Sequence, residues 1–386
     1  MSEECQMGVG NGGRQASGDQ PLVSVIMAAY NSEQYIAEAI ESVQAQTYPN
    51  WELIVVDDAS TDRTPEIVTG YAARDPRIRL LRNTENQGPA PSRNRAIRES
   101  LGEFIAVLDS NDVALPHRLE RTVPVLQRSH DVAVVGGLAI QMDETGQDIG
   151  IVDSLSCAYC DGHPEKHIAH GGNPFVHSST LIRRGPLLEL GGYDEWFRYA
   201  HDYDLWLRLS ERCKLLRIEE PLAKWRLSLD GISFKHRRLQ DAYAAVAYLR
   251  WFWKQRARTV DLEGTLQSAL RTLGGGRDKG KCESLYDVGL ACAASGNPRG
   301  ARRYFLRAFV VRPWRLRAIV RAALTLLPDR GECVLNPLRR RGLIGHGAPS
   351  RGGAGYGLHV HPVFVESQRR TGSHGIGSAP AQDMTH

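Results

Sequence analysis

The chain has 386 residues, 42% hydrophobic and 24% charged, the make-up of a soluble globular protein with room for one large domain and a smaller one. Its formal net charge of +4 hides an uneven spread: Arg299 to Arg341 holds twelve arginines, no lysine and two acids, a local +10 that leaves −6 elsewhere. No apolar run reaches the roughly 18 residues that cross a bilayer, and seven scattered cysteines make no disulfide framework, so a reducing cytoplasmic setting is expected.

Residues 1–20, MSEECQMGVGNGGRQASGDQ, are Gly-rich and polar without an apolar core, which predicts a disordered tail and not a secretory signal. LVSVIMAA (22–29) then reads as a strand buried on both faces. Ile36, Ala39, Ile40 and Val43 follow at helical spacing, with Asn31 or Ser32 expected as the N-cap. ELIVVDD (52–58) is the next strand, and Thr64-Pro65 opens a helix to about Ala73. RIRLL (77–81) predicts a third strand, PSRNRAIRESL (91–101) a third helix stopped by Gly102, and FIAVLD (104–109) and VAVVGG (132–137) two further strands. Strands thus recur every 25 to 30 residues with helices between, the pattern of a mostly parallel, doubly wound α/β sheet.

The second half is less regular. NPFVHSSTLIRR (173–184) contains a strand and HDYDLWLRLSER (201–212) a helix. Beyond residue 237 the pattern is helical, and SLYDVGLACAASGNPRGARRYFLRAFVVRPW resembles a single tetratricopeptide-type hairpin turning at Gly296-Asn297-Pro298. The Gly-, His- and Ser-rich stretch from 342 is expected to be disordered. The expected organisation is a tail (1–20), an α/β domain (21–238), a basic helical extension (239–341) and a second tail (342–386).

Ligands of such sheets bind at the carboxyl ends of the strands. Those ends carry Tyr30-Asn31, Asp57-Asp58 and Asp109-Ser110-Asn111-Asp112. Either acidic cluster alone reads equally well as a turn that starts a helix. Together on one sheet, their oxygens suit a hard divalent cation bridging phosphates.

VSVIMAAYN, LIVVDDASTD, NQGPAPSRN, FIAVLDSND, GGYDEWFRYAHDYDLWLRL and WRLSLDGIS occur in the order and spacing of glycosyltransferase family 2, which the chain resembles over about residues 21 to 235. That resemblance implies the GT-A fold and transfer of a sugar from a nucleotide-diphosphate donor, with inversion at the anomeric carbon. It implies that Ala28 and Tyr30 line the base pocket, that Asp58 accepts a hydrogen bond from the base, and that Arg93 sits by the base or phosphates. It makes Asp109, Asn111 and Asp112 the region that holds a divalent cation (Mn2+ or Mg2+) against the diphosphate. Asp202 matches the general base, a role that needs a carboxylate to take the proton of the attacking hydroxyl. Asp204 is expected on the helix surface or at its cap. His201 stands where many relatives carry an acid.

Two departures point to a weakened metal site. Asn111 replaces an acid, and an amide ligates without charge. Ser228 stands where relatives often have His. The diphosphate could then be neutralised partly by Lys235, His236, Arg237 or Arg238.

Cys157, Cys160, His163, His167 and His170 offer zinc-type ligands at spacings shorter than a finger's, and read otherwise as loop residues. The Arg-rich run with Phe305, Phe309 and Trp314 reads either as a solvated face or as a helix that docks on an anionic membrane through 299–341. Nucleic acid is not an expected partner. The reading is an inverting glycosyltransferase using a UDP- or dTDP-type donor and a glycan or lipid-linked saccharide acceptor, cytoplasmic and peripheral at the inner face of the membrane. The alternatives are a non-catalytic nucleotide-sugar-binding protein, or a zinc-stabilised interaction module built on the C-terminal helices.

Overall fold

The computed structural model describes residues 20–152, 154, 163–169, 171–228, 236–272 and 298–311. Its framework is the run of apolar strands. β1 (Val23–Ala29) lies between β2 (Trp51–Asp57) and β4 (Phe104–Val107), and β2 pairs with β3 (Ile78–Arg82), all in parallel. All seven residues of β2 are buried, as a strand covered on both faces must be.

Helices cover the two faces separately. Val25 and Met27 of β1 pack with α1 (Ile36–Gln44), Val68 of α2 (Thr64–Ala72) and the apolar stripe of α4 (Arg118–Arg128). Ile26, between them in sequence, points to the other layer, with α3 (Pro89–Glu99) and the helices that follow. Gly102 closes the turn into β4 because a Cβ there would lie 2.6 Å from the Ser24 amide and 2.7 Å from the Leu22 carbonyl.

The sheet continues in mixed directions. After the two-residue β5 (Val113–Ala114) come β6 (Val132–Met142), β7 (Asp148–Val152), α5 (Pro164–Ala169), a 3-10 turn at His177–Ser179, β8 (Leu181–Arg183) and α6 (Arg184–Glu189). Then follow α7 (His201–Leu209), β9 (Lys214–Arg226), α8 (Arg237–Lys254), α9 (Leu262–Thr272) and α10 (Pro298–Val311). The strand order is β3-β2-β1-β4-β8-β6-β9-β5, with β7 on β6. β8 runs antiparallel to both β4 and β6, while β6 and β9 run parallel. β8 and the turn before it thus reach the carboxyl end of β4, where the acidic cluster lies.

The α1 cap differs from expectation. The helix begins at Ile36 after Tyr35, which supplies no side-chain cap. Asn31 instead adopts a left-handed φ of 48° and its Oδ1 accepts the Thr61 amide at 2.9 Å, while the Ser32 amide donates to Thr64 Oγ1. Both residues are spent on joining the β1 and β2 loops.

α8 is buried continuously from Ala242 to Leu249 and shares a core with Leu205 and Leu209 of α7 and with residues of the sheet, so this stretch packs with the α/β domain and not apart from it. Of the proposed hairpin, α10 is described, and the partner helix lies outside the described residues. No described helix is long and apolar enough to cross a membrane.

Candidate active site

The site is assembled at the carboxyl ends of β1, β2 and β4. Tyr30, just past β1, is 49% exposed, with Ala28 partly buried behind it. Asp58, just past β2, is buried and turned toward its own chain: Oδ1 accepts Asn83 Nδ2 (2.7 Å) and the Gln87 amide (3.0 Å), and Oδ2 accepts the Gly88 amide (2.8 Å). These bonds hold the turn in which Gly88 takes a φ of +95° and Pro89 starts α3. Asp57, fully buried, lies 3.5 Å from Arg82 Nε.

α3 carries Arg93 inward, only 6% of its side chain exposed. Nη2 donates to Asp109 Oδ1 and Nη1 to His201 Nε2, both at 2.6 Å. A guanidinium has only donors, so His201 Nε2 presents its lone pair and the ring is neutral. Burial, then the Arg93 charge, lowers its basicity well below that of an ordinary histidine. His177 is lowered likewise by burial and by Arg93, and its Nε2 lies 2.8 Å from the Tyr193 hydroxyl. Burial raises Tyr193 above the usual tyrosine range.

The Asp109–Asp112 turn divides its two carboxylates. Asp109 stays one-third exposed, paired with Arg93 and 3.8 Å from His177 Nδ1. Asp112 is buried: Oδ2 accepts the Ser178 hydroxyl and Oδ1 the Arg226 amide at 2.8 Å. Burial, and secondarily the Asp109 charge, push its carboxyl up to about 8. Arg118, equally buried, donates to the carbonyls of Val107 and Thr180 at 2.7 Å, and burial lowers its guanidinium to about 10. Arg226 seals the turn from β9, its Nε donating to the Asn111 carbonyl at 2.9 Å and its Nη2 to Glu38. The Ser110 hydroxyl meets Ser32 at 2.8 Å.

Hard divalent cations take oxygen ligands and bind more tightly as ligand charge rises. Of the three expected metal residues, Asp112 has both oxygens bonded inward, Asn111 is an amide, and Asp109 is neutralised by Arg93. This donor set does not fit a tightly held cation. Among the described residues no group of three His, Cys, Asp or Glu is arranged to hold a metal. Cys157, Cys160 and His170 lie outside the described residues, and His167 is buried with its ring against Gly172.

Asp202 lies in the first turn of α7, beyond Ala200 in a left-handed φ of 53°. Its Oδ2 accepts Asn173 Nδ2 at 2.8 Å. Desolvation raises its carboxyl above the ordinary aspartate value, opposed by the Asn173 hydrogen bond and the Arg93 charge. Asp204, expected on the surface or at the cap, is instead buried with Arg208 at 2.8 Å and with Arg250, because α8 covers that side of α7. The structure thus joins Arg93, Asp109 and, through His201, the Asp202 turn. Asp112 is tied to Asp109 by its amide on the Asp109 carbonyl at 3.0 Å and through Ser178, whose Oγ accepts the Asp109 amide and donates to Asp112, whereas Tyr30 and Asp58 share the strand ends without a direct bond to these residues. Sequence reasoning missed Asn173, His177, Ser178, Arg118 and Arg226; only Arg226, inside WRLSLDGIS, stood in a motif it had singled out.

Of the expected auxiliary cations, Lys235 lies outside the described residues, His236 packs on Tyr199 with ring centroids 5.3 Å apart, and Arg238 donates to the Leu270 carbonyl. On α10, Phe305, expected to face lipid, is 1% exposed and turned into protein. Arg303 and Arg307 reach Glu144 at 2.9 and 3.4 Å.

The profile described as Glycosyl transferase family 2 matches residues 24–176. The uncharacterised glycosyltransferase MJ1057 of Methanocaldococcus jannaschii is 32% identical over 241 residues, 62% of this chain and 81% of MJ1057. EpsE of Bacillus subtilis (strain 168) is 39% identical over 222 residues, 56% of this chain and 76% of EpsE. The chain belongs to glycosyltransferase family 2. It is therefore an enzyme of the transferase class, and its sheet with flanking helices is the GT-A fold of that family. Among solved structures, the mannosyltransferase PcManGT from Pyrobaculum calidifontis, in complex with GDP-Man and Mn2+, aligns with a TM-score of 0.47 at 21% identity, over 81% of this chain and 88% of that one.

Proposed function

We propose that this family 2 enzyme moves a glycosyl group from a nucleotide-diphosphate donor to a hydroxyl of a glycan or lipid-linked saccharide, with inversion, and that Asp202 is its general base. The observation that carries the reading is the state of Asp202: a desolvated carboxylate of raised basicity, steered by Asn173, beside a network that leads through His201 and Arg93 to Asp109. In one displacement the acceptor oxygen attacks the anomeric carbon, its proton passes to Asp202, and the bond to the donor diphosphate breaks with its electron pair leaving on the phosphate oxygen. That step requires a base at the acceptor hydroxyl, which Asp202 supplies in this reading, and stabilisation of the charge that develops on the leaving diphosphate.

In this reading Tyr30 stacks on a UDP- or dTDP-type base over Ala28. Asp58 shapes the pocket through the 83–88 turn and offers Oδ2, which has one donor of its own, to the base. Arg93 and Asp109 lie toward the diphosphate. A divalent cation travelling with the donor finds only Asp109 and Asn111, and no step is assigned to it. The basic C-terminal run is read as a surface for anionic lipid that keeps the enzyme beside a lipid-linked acceptor; most of that run lies outside the described residues, and Arg303 and Arg307 within it pair with Glu144.

The rival reading, a binder without catalysis, has no use for a desolvated carboxylate beside the donor pocket. A panel of UDP-, dTDP- and GDP-sugars, with and without Mn2+, scored for transfer and donor hydrolysis with Asp202→Asn alongside, tests the proposal. Turnover lost in the variant supports it; nucleotide-sugar binding with no turnover in the native enzyme supports the rival.

A further inference from the structure

The carboxyl groups and the Arg226 guanidinium at the carboxyl end of β4 are each bonded to protein. Asp109 is held by Arg93, Asp112 by Ser178 and the Arg226 amide, and the Arg226 guanidinium by Glu38 and the Asn111 carbonyl. Arg93 cannot swing away easily, because its second terminal nitrogen is fixed by His201 Nε2 at 2.6 Å and the side chain is 6% exposed. An acid at 201 would compete for that guanidinium and loosen its hold on Asp109; a neutral ring that only accepts leaves Asp109 as the one carboxylate Arg93 binds. The Asp109 residue is further held by its amide on Ser178 Oγ at 3.1 Å, by its carbonyl accepting the Asp112 amide at 3.0 Å, and by His177 Nδ1 at 3.8 Å from its carboxylate.

We propose that Arg93, positioned by His201, is the built-in counter-ion of Asp109 and stands where a tightly bound divalent cation would otherwise be needed, so that this chain binds its donor diphosphate with little help from metal. This rests on the nucleotide-donor reading of the site. A cation entering the site meets an Asp109 whose charge Arg93 already offsets through Oδ1, leaving Oδ2 and the Asn111 amide as its ligands, and both are weak options. By cancelling the Asp109 charge, the same arginine removes the repulsion a bare carboxylate would exert on the diphosphate, which lowers the need for a mobile cation.

The test measures binding, not turnover. Mn2+ titration of the nucleotide-free protein followed by electron paramagnetic resonance reads the cation site directly, and calorimetry with UDP, dTDP and GDP in excess Mg2+ or in EDTA reads the donor site. For the native chain we expect weak Mn2+ binding and a diphosphate Kd that changes by less than about threefold between Mg2+ and EDTA. Arg93→Gln uncovers Asp109, so Mn2+ should bind about tenfold more tightly while diphosphate binding in EDTA weakens by a similar factor. Asn111→Asp leaves the Arg93 clasp intact and adds a carboxylate, and it should raise both Mn2+ affinity and the Mg2+ dependence of diphosphate binding about tenfold. His201→Ala removes the acceptor that positions Arg93 and should shift Mn2+ affinity toward that of Arg93→Gln, whereas His201→Gln, which still offers an acceptor, should shift it less. Circular dichroism shows whether each variant is folded.

A native diphosphate Kd that weakens more than about tenfold in EDTA overturns the proposal, as does a folded Arg93→Gln with unchanged or weaker Mn2+ binding. If none of the three diphosphates binds under either condition, the donor reading fails, and the Mn2+ titrations still decide whether Arg93 guards Asp109.

Discussion

Asp202→Asn separates catalysis from stability more sharply than any other single change. The amide is isosteric, and its oxygen can accept the Asn173 Nδ2 hydrogen bond that now ends on Asp202 Oδ2 at 2.8 Å, so the start of α7 should not move. What is lost is the proton acceptor, worth about 10²- to 10⁴-fold in rate, or roughly 3–5 kcal/mol of barrier. The stability effect has the opposite sign. Desolvation raises the folded-state pKa of Asp202 above the ordinary aspartate value near 3.8, so the folded protein holds this proton more tightly than the unfolded chain does. Linkage then makes the native protein lose stability as pH rises from the unfolded value through the raised one, and an uncharged amide escapes that loss. At neutral pH the variant should melt at the native temperature or above it while transfer falls at least a hundredfold. The acid limb of native kcat/KM should lie above the ordinary aspartate value, and it should be absent from the variant's residual rate. Initial-rate assays over pH, with thermal melts on the same samples, measure both effects. A variant that keeps full transfer, or one whose activity falls only in step with its melting temperature, refutes the reasoning.

Asp58→Ala strands three donors, Asn83 Nδ2 and the amides of Gln87 and Gly88, and should cost about 3 kcal/mol or more in urea unfolding, with Asp58→Asn intermediate. Gly192→Ala puts a Cβ 2.4 Å from Asn94 Oδ1 at a φ of +76° and disturbs the Tyr193 amide bonded to that oxygen at 2.8 Å; a loss of about 2 kcal/mol should appear in thermal unfolding. Glu144→Ala removes the contacts of Arg303 and Arg307, which are 40% and 38% exposed. Global stability should change by less than about 1 kcal/mol, whereas amide exchange in 298–311 should quicken, a difference that added salt erases.

The fold was legible where burial is two-sided and local. β2 has all seven residues buried, so its apolar run has one reading, and the apolar spacing of α1 survives because Ile36, Ala39, Ile40 and Val43 do face the core. The α1 cap was misread because Asn31 and Ser32 look like caps in isolation, while Asn31 bonds to Thr61, 30 residues away. The direction of β8 was equally hidden: a three-residue strand takes its orientation from the β4 and β6 edges it fills, not from its own sequence.

The site divides along the same line. Acids directly after apolar strands are a local pattern, and Asp58 and Asp109 were singled out by it; Asp202, in the first turn of α7, came from the family resemblance. What each acid does is decided by residues with no local signature. Ser178 reaches Asp112 across 66 positions, Arg226 reaches Asn111 across 115, and His201 reaches Arg93 across 108. The sequence therefore offers Asp109 and Asp112 as a matched pair three residues apart, and only packing makes them unlike. One is wrapped by β9 and the 3-10 turn until its proton is hard to remove, the other is left one-third exposed with an arginine across it. A motif written as acids thus leaves a single carboxylate partly exposed, and that carboxylate is paired with Arg93.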